Sequence, residues 1–208
     1  MPDFSIEQEY NQPIIGIDEV GRGPLAGPVV CSACIFFNIK LTNEELIFID
    51  DSKKLSKKKR IVAIKEIYKL KKENKIQFSL GMASVEEIDT YNILEATKIS
   101  MRRAVKKLNQ PHTQLIIDGK INLHLKNYPS RGIVKGDQKS FSIAAASIIA
   151  KIHRDRYMQF LSNKYPSYHW SSNAGYGTKK HLEEIYNKGI TIHHRKSFKP
   201  INSLIQSK

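Results

Sequence analysis

The chain has 208 residues and carries 34 Lys and Arg against 20 Asp and Glu, a formal net charge of +14. This length favours one domain whose core needs no disulfide bonds, and the composition excludes a membrane-spanning protein, so we expect a cytoplasmic one. The positive charge favours a polyanionic partner, chiefly nucleic acid, with a merely solvated basic surface as the alternative.

An apolar run of three isoleucines near the start of the chain predicts a short buried strand, which ends in Asp18 and Glu19. Gly21-Arg22-Gly23 follows, and backbone without Cβ atoms can approach another molecule closely. Acids beside a flexible basic loop suggest a cation site next to an anion site, as in two divalent metals facing a phosphodiester. The alternative is that these acids are solvated turn residues.

A dinucleotide-binding turn does not fit the glycines of this stretch. Gly21, Gly23 and Gly27 give G-x-G-x-x-x-G instead of G-x-G-x-x-G. Residues 29–37 predict a second strand where that motif needs a helix. On this strand Cys31 and Cys34 face opposite sides, so we expect two buried, reduced thiols instead of a metal site.

The middle of the chain predicts alternating helices and strands. Thr42 caps a short helix to Ile49, Ser56 caps one to about Glu73, residues 75–83 form a strand, and a capping box at Ser84 opens a short helix before a longer one over 91–108.

The pattern of an apolar strand ending in a carboxylate occurs twice more. Residues 114–118 end in Asp118, and residues 131–137 end in Asp137. Because adjacent strand ends of a sheet lie close together, three such acids in a basic chain predict one shared metal site. A long helix follows over about 139–164, and we expect its positive end to point toward the acids or a bound phosphate.

The C-terminal part, from Tyr165, differs in composition from the rest of the chain and is rich in aromatic residues, glycine and histidine. Thr178 caps a helix over 179–187 that Gly189 stops. Tyr176, between two glycines, could stack on a sugar or base, or could cover the core. His193 and His194 are expected at the surface, in a basic tail, because no third metal ligand has clear spacing.

A series of motifs occurs in a fixed order: Gly16–Val29, Asp51–Leu55, Ile117–Gly119, Gly136–Lys151 and Gly175–His181. Together they resemble bacterial ribonuclease HII, the type 2 ribonucleases H, over nearly the whole chain. The resemblance implies an α/β ribonuclease H-like fold, in which a mixed central sheet is flanked by helices. It also implies a catalytic core over 1–164 and a C-terminal helical extension over 165–208 that contacts substrate.

The resemblance further implies a metal-dependent endonuclease. Such an enzyme hydrolyses the RNA strand of RNA/DNA hybrids, and incises 5′ of ribonucleotides embedded in duplex DNA to leave 3′-hydroxyl and 5′-phosphate ends. It implies two Mg²⁺ or Mn²⁺ ions held by four acids: Asp18, Glu19, Asp118 and Asp137. Asp18 would bridge both ions, Asp137 would complete the first site, and Glu19 with Asp118 the second.

Substrate contacts are implied for a second set of residues: Gly21, Arg22, Gly23, Lys53 and Tyr176. The glycine loop would sense the ribose 2′-hydroxyl, which distinguishes RNA from DNA. Asn173-Ala174 and Trp170 depart from the family pattern near Tyr176. Residues 201–208 lack a clear sliding-clamp motif, so we predict no such partner, and we expect a monomer.

Two other functions compete with the nuclease. A nucleic-acid-binding protein that no longer cuts would gain nothing from clustered carboxylates, which repel one another. A phosphotransferase lacks its Gly-rich Lys-Ser/Thr loop in this sequence.

Overall fold

A five-stranded mixed sheet forms the centre of the protein, whose computed structural model describes residues 1–52 and 54–206. Its strands are β1 Ile15–Val20, β2 Val29–Phe36, β3 Ile76–Ala83, β4 Leu115–Asp118 and β5 Ser130–Ile133. The order across the sheet is β3-β2-β1-β4-β5. β1, β2 and β3 pair antiparallel, whereas β4 pairs parallel with β1 and with β5. The predicted mixed central sheet is confirmed.

Helices cover both faces of this sheet. They are α1 Asn43–Leu46, α2 Lys57–Lys72, α3 Val85–Leu108, α4 Phe141–Lys164, α5 Trp170–Asn173, α6 Lys179–Lys188 and α7 Ile201–Gln206. The predicted caps at Thr42, Ser56, Ser84 and Thr178 each accept a backbone N–H with the side chain. The expected break between two helices before residue 91 is a kink inside α3, at Asn92 with φ 66°.

Two apolar layers separate the helices from the sheet. On one face, α2 and α4 pack on Cys34, Phe36 and Phe78. On the other face, α3 packs on the side chains of Ile15, Ile17 and other strand residues, Cys31 among them. The two cysteines are therefore buried, free and on opposite faces, as the alternation of a strand predicts.

Helix α4 lies unusually close to the central strand β1. A Cβ on Gly16 would overlap the backbone of Ser142 and Ile143, so only glycine allows this approach. The first turn of α4 is capped from within the protein, because Ser142 N–H donates to Glu7 Oε1 (3.0 Å) and Ile143 N–H to Ser140 Oγ (3.2 Å). These two N–H groups thus have acceptors within the protein, and the expectation that the positive end of the helix points toward the acids or a bound phosphate stays a prediction.

The C-terminal helices pack on α4 and on the segment between β1 and β2. Trp170 is fully buried at the centre of this third cluster, which also includes Leu25, Met158 and Ile201. The helices that follow α4 thus pack beside the loop that follows β1. Within the described residues, no helix is long and apolar enough to cross a membrane.

Candidate metal centre and nucleic-acid contact site

The carboxyl ends of two adjacent parallel strands place Asp18 and Asp118 side by side. The register pairs Ile17 of β1 with Ile117 of β4, so the next residue on each strand is an aspartate. Parallel strands end at the same edge of a sheet, which is why two separate apolar runs deliver their acids to one place.

Asp137 reaches this edge by a different route from the one its sequence predicts. β5 ends at Ile133, and Asp137 lies in a single 3₁₀ turn, Gly136–Gln138, between β5 and α4. The Gly136 N–H donates to Asp118 Oδ1 at 2.7 Å, which ties this turn to the end of β4. The predicted strand over 131–137 is therefore too long, although its acid arrives where predicted.

The three aspartates form what we call the acid cluster. Asp18, Asp118 and Asp137 each offer a carboxylate oxygen, and these oxygens all lie within 4.8 Å of one another. Glu19 does not join this set within the described part of the chain, because successive side chains of a strand point to opposite faces. Its Oε1 lies 3.4 Å from Arg22 Nη1.

Asp18 is the electrostatic centre of the acid cluster. Burial raises the pKa of its carboxyl group well above the usual value, and the charges of Glu19 and Asp118 raise it further. A hydrogen bond from Ser147 and one from the Glu19 N–H (2.7 Å) act in the opposite direction. A buried carboxylate that is so costly to ionise alone is suited to a bound cation.

The donor set fits a hard divalent ion. Mg²⁺ and Mn²⁺ prefer carboxylate oxygens to nitrogen or sulfur, and the three ligand atoms that converge among the described residues are all carboxylate oxygens. The hydroxyl of Ser147 also contacts that of Ser52 at 2.8 Å, which links Asp18 to the 51–55 motif. Lys53, the predicted substrate contact in that motif, lies outside the described residues.

The predicted glycine loop, Gly21–Gly23, begins directly after β1 and lies against Tyr176. Gly21 has φ +94°, and a Cβ there would overlap the side chain of Arg154. A Cβ at Gly23 would lie 3.5 Å from Tyr176 Cε1, so the ring stands beside an exposed stretch of backbone. Tyr176 is itself 49% exposed, which leaves its ring available to a ligand.

A buried histidine network holds the Tyr176 backbone. His181 Nδ1–H donates to the Tyr176 carbonyl at 2.8 Å, so its Nε2 is an acceptor. The Trp170 Nε1–H (3.0 Å) and His194 Nε2–H (3.1 Å) both donate to that atom, while His194 Nδ1 accepts from the Thr191 N–H. Burial lowers the pKa of His181, and it lowers the pKa of His194 to about 3, so both rings are neutral.

This network corrects one prediction and explains one departure from the family pattern. His194 is 1% exposed, so its assignment to the surface is wrong; His193 beside it is only partly exposed. Trp170 is fully buried, and its ring N–H donates to His181. The bulky residue therefore stabilises the Tyr176 turn.

Sequence reasoning also missed two fully buried arginines, Arg154 and Arg195, which hold the loop between β1 and β2. Arg154 had a detectable signal, because it follows Ala150 by four residues on the buried stripe of α4. Arg195 had none, since it belongs to a run of basic residues that is typical of a solvated tail.

The sequence of this chain matches the family described as Ribonuclease HII over residues 15–201. A Ribonuclease HII of Wolbachia pipientis subsp. Culex pipiens is 50% identical over 205 residues, which cover 98% of both chains. The chain belongs to the ribonuclease HII family. It is accordingly an endoribonuclease, of a family that depends on divalent metal.

Solved structures of ribonucleases H share the fold of this family member. A ribonuclease H2 from Pyrococcus horikoshii superposes with a TM-score of 0.71 at 21% identity, covering 94% of this chain and 98% of the other. A ribonuclease HII from Archaeoglobus fulgidus, solved as a complex with PCNA, gives 0.67 at 23% identity, covering 89% and 94%. These likenesses confirm the predicted ribonuclease H-like fold.

Proposed function

We propose that this protein is a divalent-metal-dependent endonuclease that cuts the RNA strand of RNA/DNA hybrids and incises 5′ of single ribonucleotides in duplex DNA. The observation that carries the proposal is the acid cluster, whose member Asp18 lies three residues of chain before the glycine loop. A site for cations and an exposed backbone suited to an anion therefore stand together, as cleavage of a phosphodiester requires.

Asp18, Asp118 and Asp137, with Glu19 beside them, would hold two Mg²⁺ or Mn²⁺ ions. Bound divalent ions supply an activated water and neutralise the charge that develops on the leaving 3′ oxygen. The role of the protein is to orient these carboxylates before the ions arrive. Ser147 and the Glu19 N–H orient Asp18, and the Gly136 N–H orients Asp118.

The glycine loop and Tyr176 would select the substrate. The 2′-hydroxyl is the group that separates RNA from DNA at one nucleotide, and backbone donors can read it without a side chain. The exposed face of Tyr176 would pack on the sugar that follows the ribonucleotide. Arg22 and Lys53 would bind phosphates and add affinity that depends on salt.

A metal-dependent nicking assay tests this function. A duplex that carries one ribonucleotide is incubated with protein and Mg²⁺ or Mn²⁺, and a matched all-DNA duplex serves as the control. We expect one nick 5′ of the ribonucleotide, none in the all-DNA duplex, and none with a chelator. Binding without a metal-dependent nick would favour a nucleic-acid-binding protein that no longer cuts.

The Asp137→Asn variant links the nick to the acid cluster. We expect cleavage to fall by at least about 10³-fold while the metal-free fold stays as stable or becomes more stable, because one repelling charge is gone. Asp155→Asn is the matched control, since Asp155 lies on α4 outside the acid cluster and pairs with Lys151 (2.8 Å). A marked loss of thermal stability in Asp137→Asn would show that Asp137 is structural.

A further inference from the structure

Arg195 is a buried cation whose hydrogen bonds all go to backbone carbonyls of one loop. Its Nη1 donates to the Arg22 carbonyl (2.8 Å), and its Nη2 to those of Gly21 (2.5 Å) and Gly27 (2.8 Å). Its Nε also donates to the Gly27 carbonyl, at 3.0 Å. The side chain is 0% exposed, and no carboxylate of the described residues forms an ion pair with it.

Arg154 holds the same loop, between β1 and β2, through hydrogen bonds of its own. Its three nitrogens donate to the carbonyls of Pro28 (2.9 Å), Ala26 (3.1 Å) and Ala174 (2.9 Å). It too is 0% exposed. Two cations are therefore buried close together, with carbonyls and not carboxylates as their hydrogen-bond partners among the described residues, to hold one loop and the start of the Tyr176 turn. Such burial is costly, so a packing role alone does not explain it.

The direction of the peptide groups follows from these bonds. In a trans peptide the carbonyl and the N–H point to opposite sides. Because Arg195 draws in the carbonyls of Gly21 and Arg22, the N–H groups of Arg22 and Gly23 point away from it, on residues that are exposed. Among the described residues, no protein acceptor is recorded for either N–H.

We infer that Arg195 is a positioning residue for substrate selection: it turns the peptide groups of the glycine loop so that two N–H donors face a phosphate or ribose hydroxyl oxygen. This inference rests on the proposed function. It makes the C-terminal segment, 173 residues away from Arg22, part of the substrate site.

The chemistry of the guanidinium explains why arginine stands here. Its planar fork presents five N–H donors in fixed directions, so it can hold three carbonyls in one arrangement. A lysine keeps the charge but offers one nitrogen on a flexible stem, which cannot reach all three in that geometry. Arg195→Lys therefore separates the geometry from the charge.

The test compares wild type with Arg195→Lys on the duplex with one ribonucleotide. We expect kcat to fall about 100-fold while KM changes less than about threefold, because misplaced donors disturb the reacting geometry more than overall binding. Mn²⁺ affinity, measured by calorimetry, should stay within about twofold. The matched control is Arg103→Lys, which loses a bidentate pair with Glu87 (2.6 and 2.7 Å) on the surface of α3 and should cut like wild type.

A second measurement uses wild-type protein and so does not depend on the folding of the variant. In NMR spectra recorded with a chelator, the Arg22 and Gly23 amide signals should shift when the ribonucleotide-containing duplex is added, and shift less with the all-DNA duplex. Unmoved amide signals, or an Arg195→Lys enzyme with kcat within threefold of wild type, would overturn the inference. A wild-type protein that does not nick would instead overturn the proposed function.

Discussion

The acid cluster and the glycine loop meet in the chain where Asp18 precedes Gly21 by three residues, yet they are held in opposite ways. The acid cluster gathers carboxylates that repel one another, and its central member, Asp18, is costly to ionise. The loop between β1 and β2, which includes the glycine loop, is held by two buried arginines, whose donors are matched to carbonyl acceptors. The carboxylates of the acid cluster need a cation to offset their repulsion, whereas the carbonyls of the loop already have their donors in the protein alone.

This difference gives substitutions in the two regions opposite signs. Removing a charge from the acid cluster should stabilise the metal-free protein, whereas removing a cation behind the glycine loop should destabilise it. Catalytic loss is expected from both, so loss of activity alone does not separate a metal ligand from a residue that positions the backbone, whereas stability measurements do. The following predictions use that contrast.

The largest effect is expected from Arg154→Ala. The change leaves three carbonyls without their donors and opens a cavity, and we expect a loss of about 3–5 kcal/mol in the free energy of unfolding. Urea denaturation measures this loss. Arg103→Ala, a surface truncation on α3, should cost about 1 kcal/mol or less. If both variants lose equally little, the loop does not depend on buried arginine.

Asp18→Asn should act in the opposite direction. Without metal at pH 7, we expect its free energy of unfolding to exceed that of wild type by about 1–3 kcal/mol, because a desolvated, repelled charge is removed. Saturating Mn²⁺ should stabilise wild type by about 2.7 kcal/mol at 100 times its dissociation constant, and the variant much less. Thermal unfolding with and without Mn²⁺ checks both parts. A less stable metal-free variant would mean that Asp18 is a structural residue.

The histidine network behind Tyr176 predicts a pH dependence. The pKa of His194 is about 3 in the folded protein, below the unfolded value of about 6.5. Between these two pH values, therefore, only the unfolded chain takes up a proton on this histidine. Its contribution to stability is therefore full above pH 6.5 and is lost as the pH falls. Between pH 7 and 5 we expect a loss of up to about 2 kcal/mol from this one group.

His194→Asn provides the comparison for that prediction. Its amide oxygen can still accept from the Thr191 N–H, as His194 Nδ1 does at 2.9 Å, but it does not titrate. Urea denaturation at pH 7, 6 and 5 should show a flatter profile for the variant, with the remaining slope due in part to His181. Parallel profiles for wild type and variant would contradict the assignment of this pH dependence to His194.

The smallest effect on stability is expected from Arg22→Ala. The side chain is 44% exposed and lies 3.4 Å from Glu19, so its loss should change the free energy of unfolding by less than about 0.5 kcal/mol. If the loop acts through its backbone, the preference for the ribonucleotide-containing duplex should persist. The slope of the logarithm of the binding constant against the logarithm of the salt concentration, measured by fluorescence anisotropy, should fall by the amount that corresponds to about one phosphate contact. A lost preference would assign selection to the side chain.

The same two regions show how far the sequence alone could predict the structure. Asp18 and Asp118 follow apolar strands whose pattern is local, so their meeting at one sheet edge could be predicted. Asp137 was expected at a strand end. Lys135, with φ 56°, instead leads the chain into the 3₁₀ turn Gly136–Gln138 that contains Asp137. The local pattern therefore identified Asp137 as an acid of the site, but it did not predict the 3₁₀ turn that carries it.

The supports of the glycine loop could not be predicted in this way. Arg195 acts on Gly21 and Gly27 across more than 160 residues of chain, and its partners are carbonyls that every residue carries. Glu7 similarly caps α4 from 135 residues away, at Ser142. Contacts of side chains with distant backbone leave no periodic or compositional signal, so only the fold reveals them.

Crystals soaked with Mn²⁺ and measured for anomalous scattering test the central claim most directly. The account predicts anomalous peaks bonded to carboxylate oxygens of Asp18, Asp118 and Asp137. It also predicts that the peak in contact with Asp18 and Asp137 is absent from Asp137→Asn crystals. Manganese bound elsewhere, with these three carboxylates free of metal at saturating concentration, would contradict it.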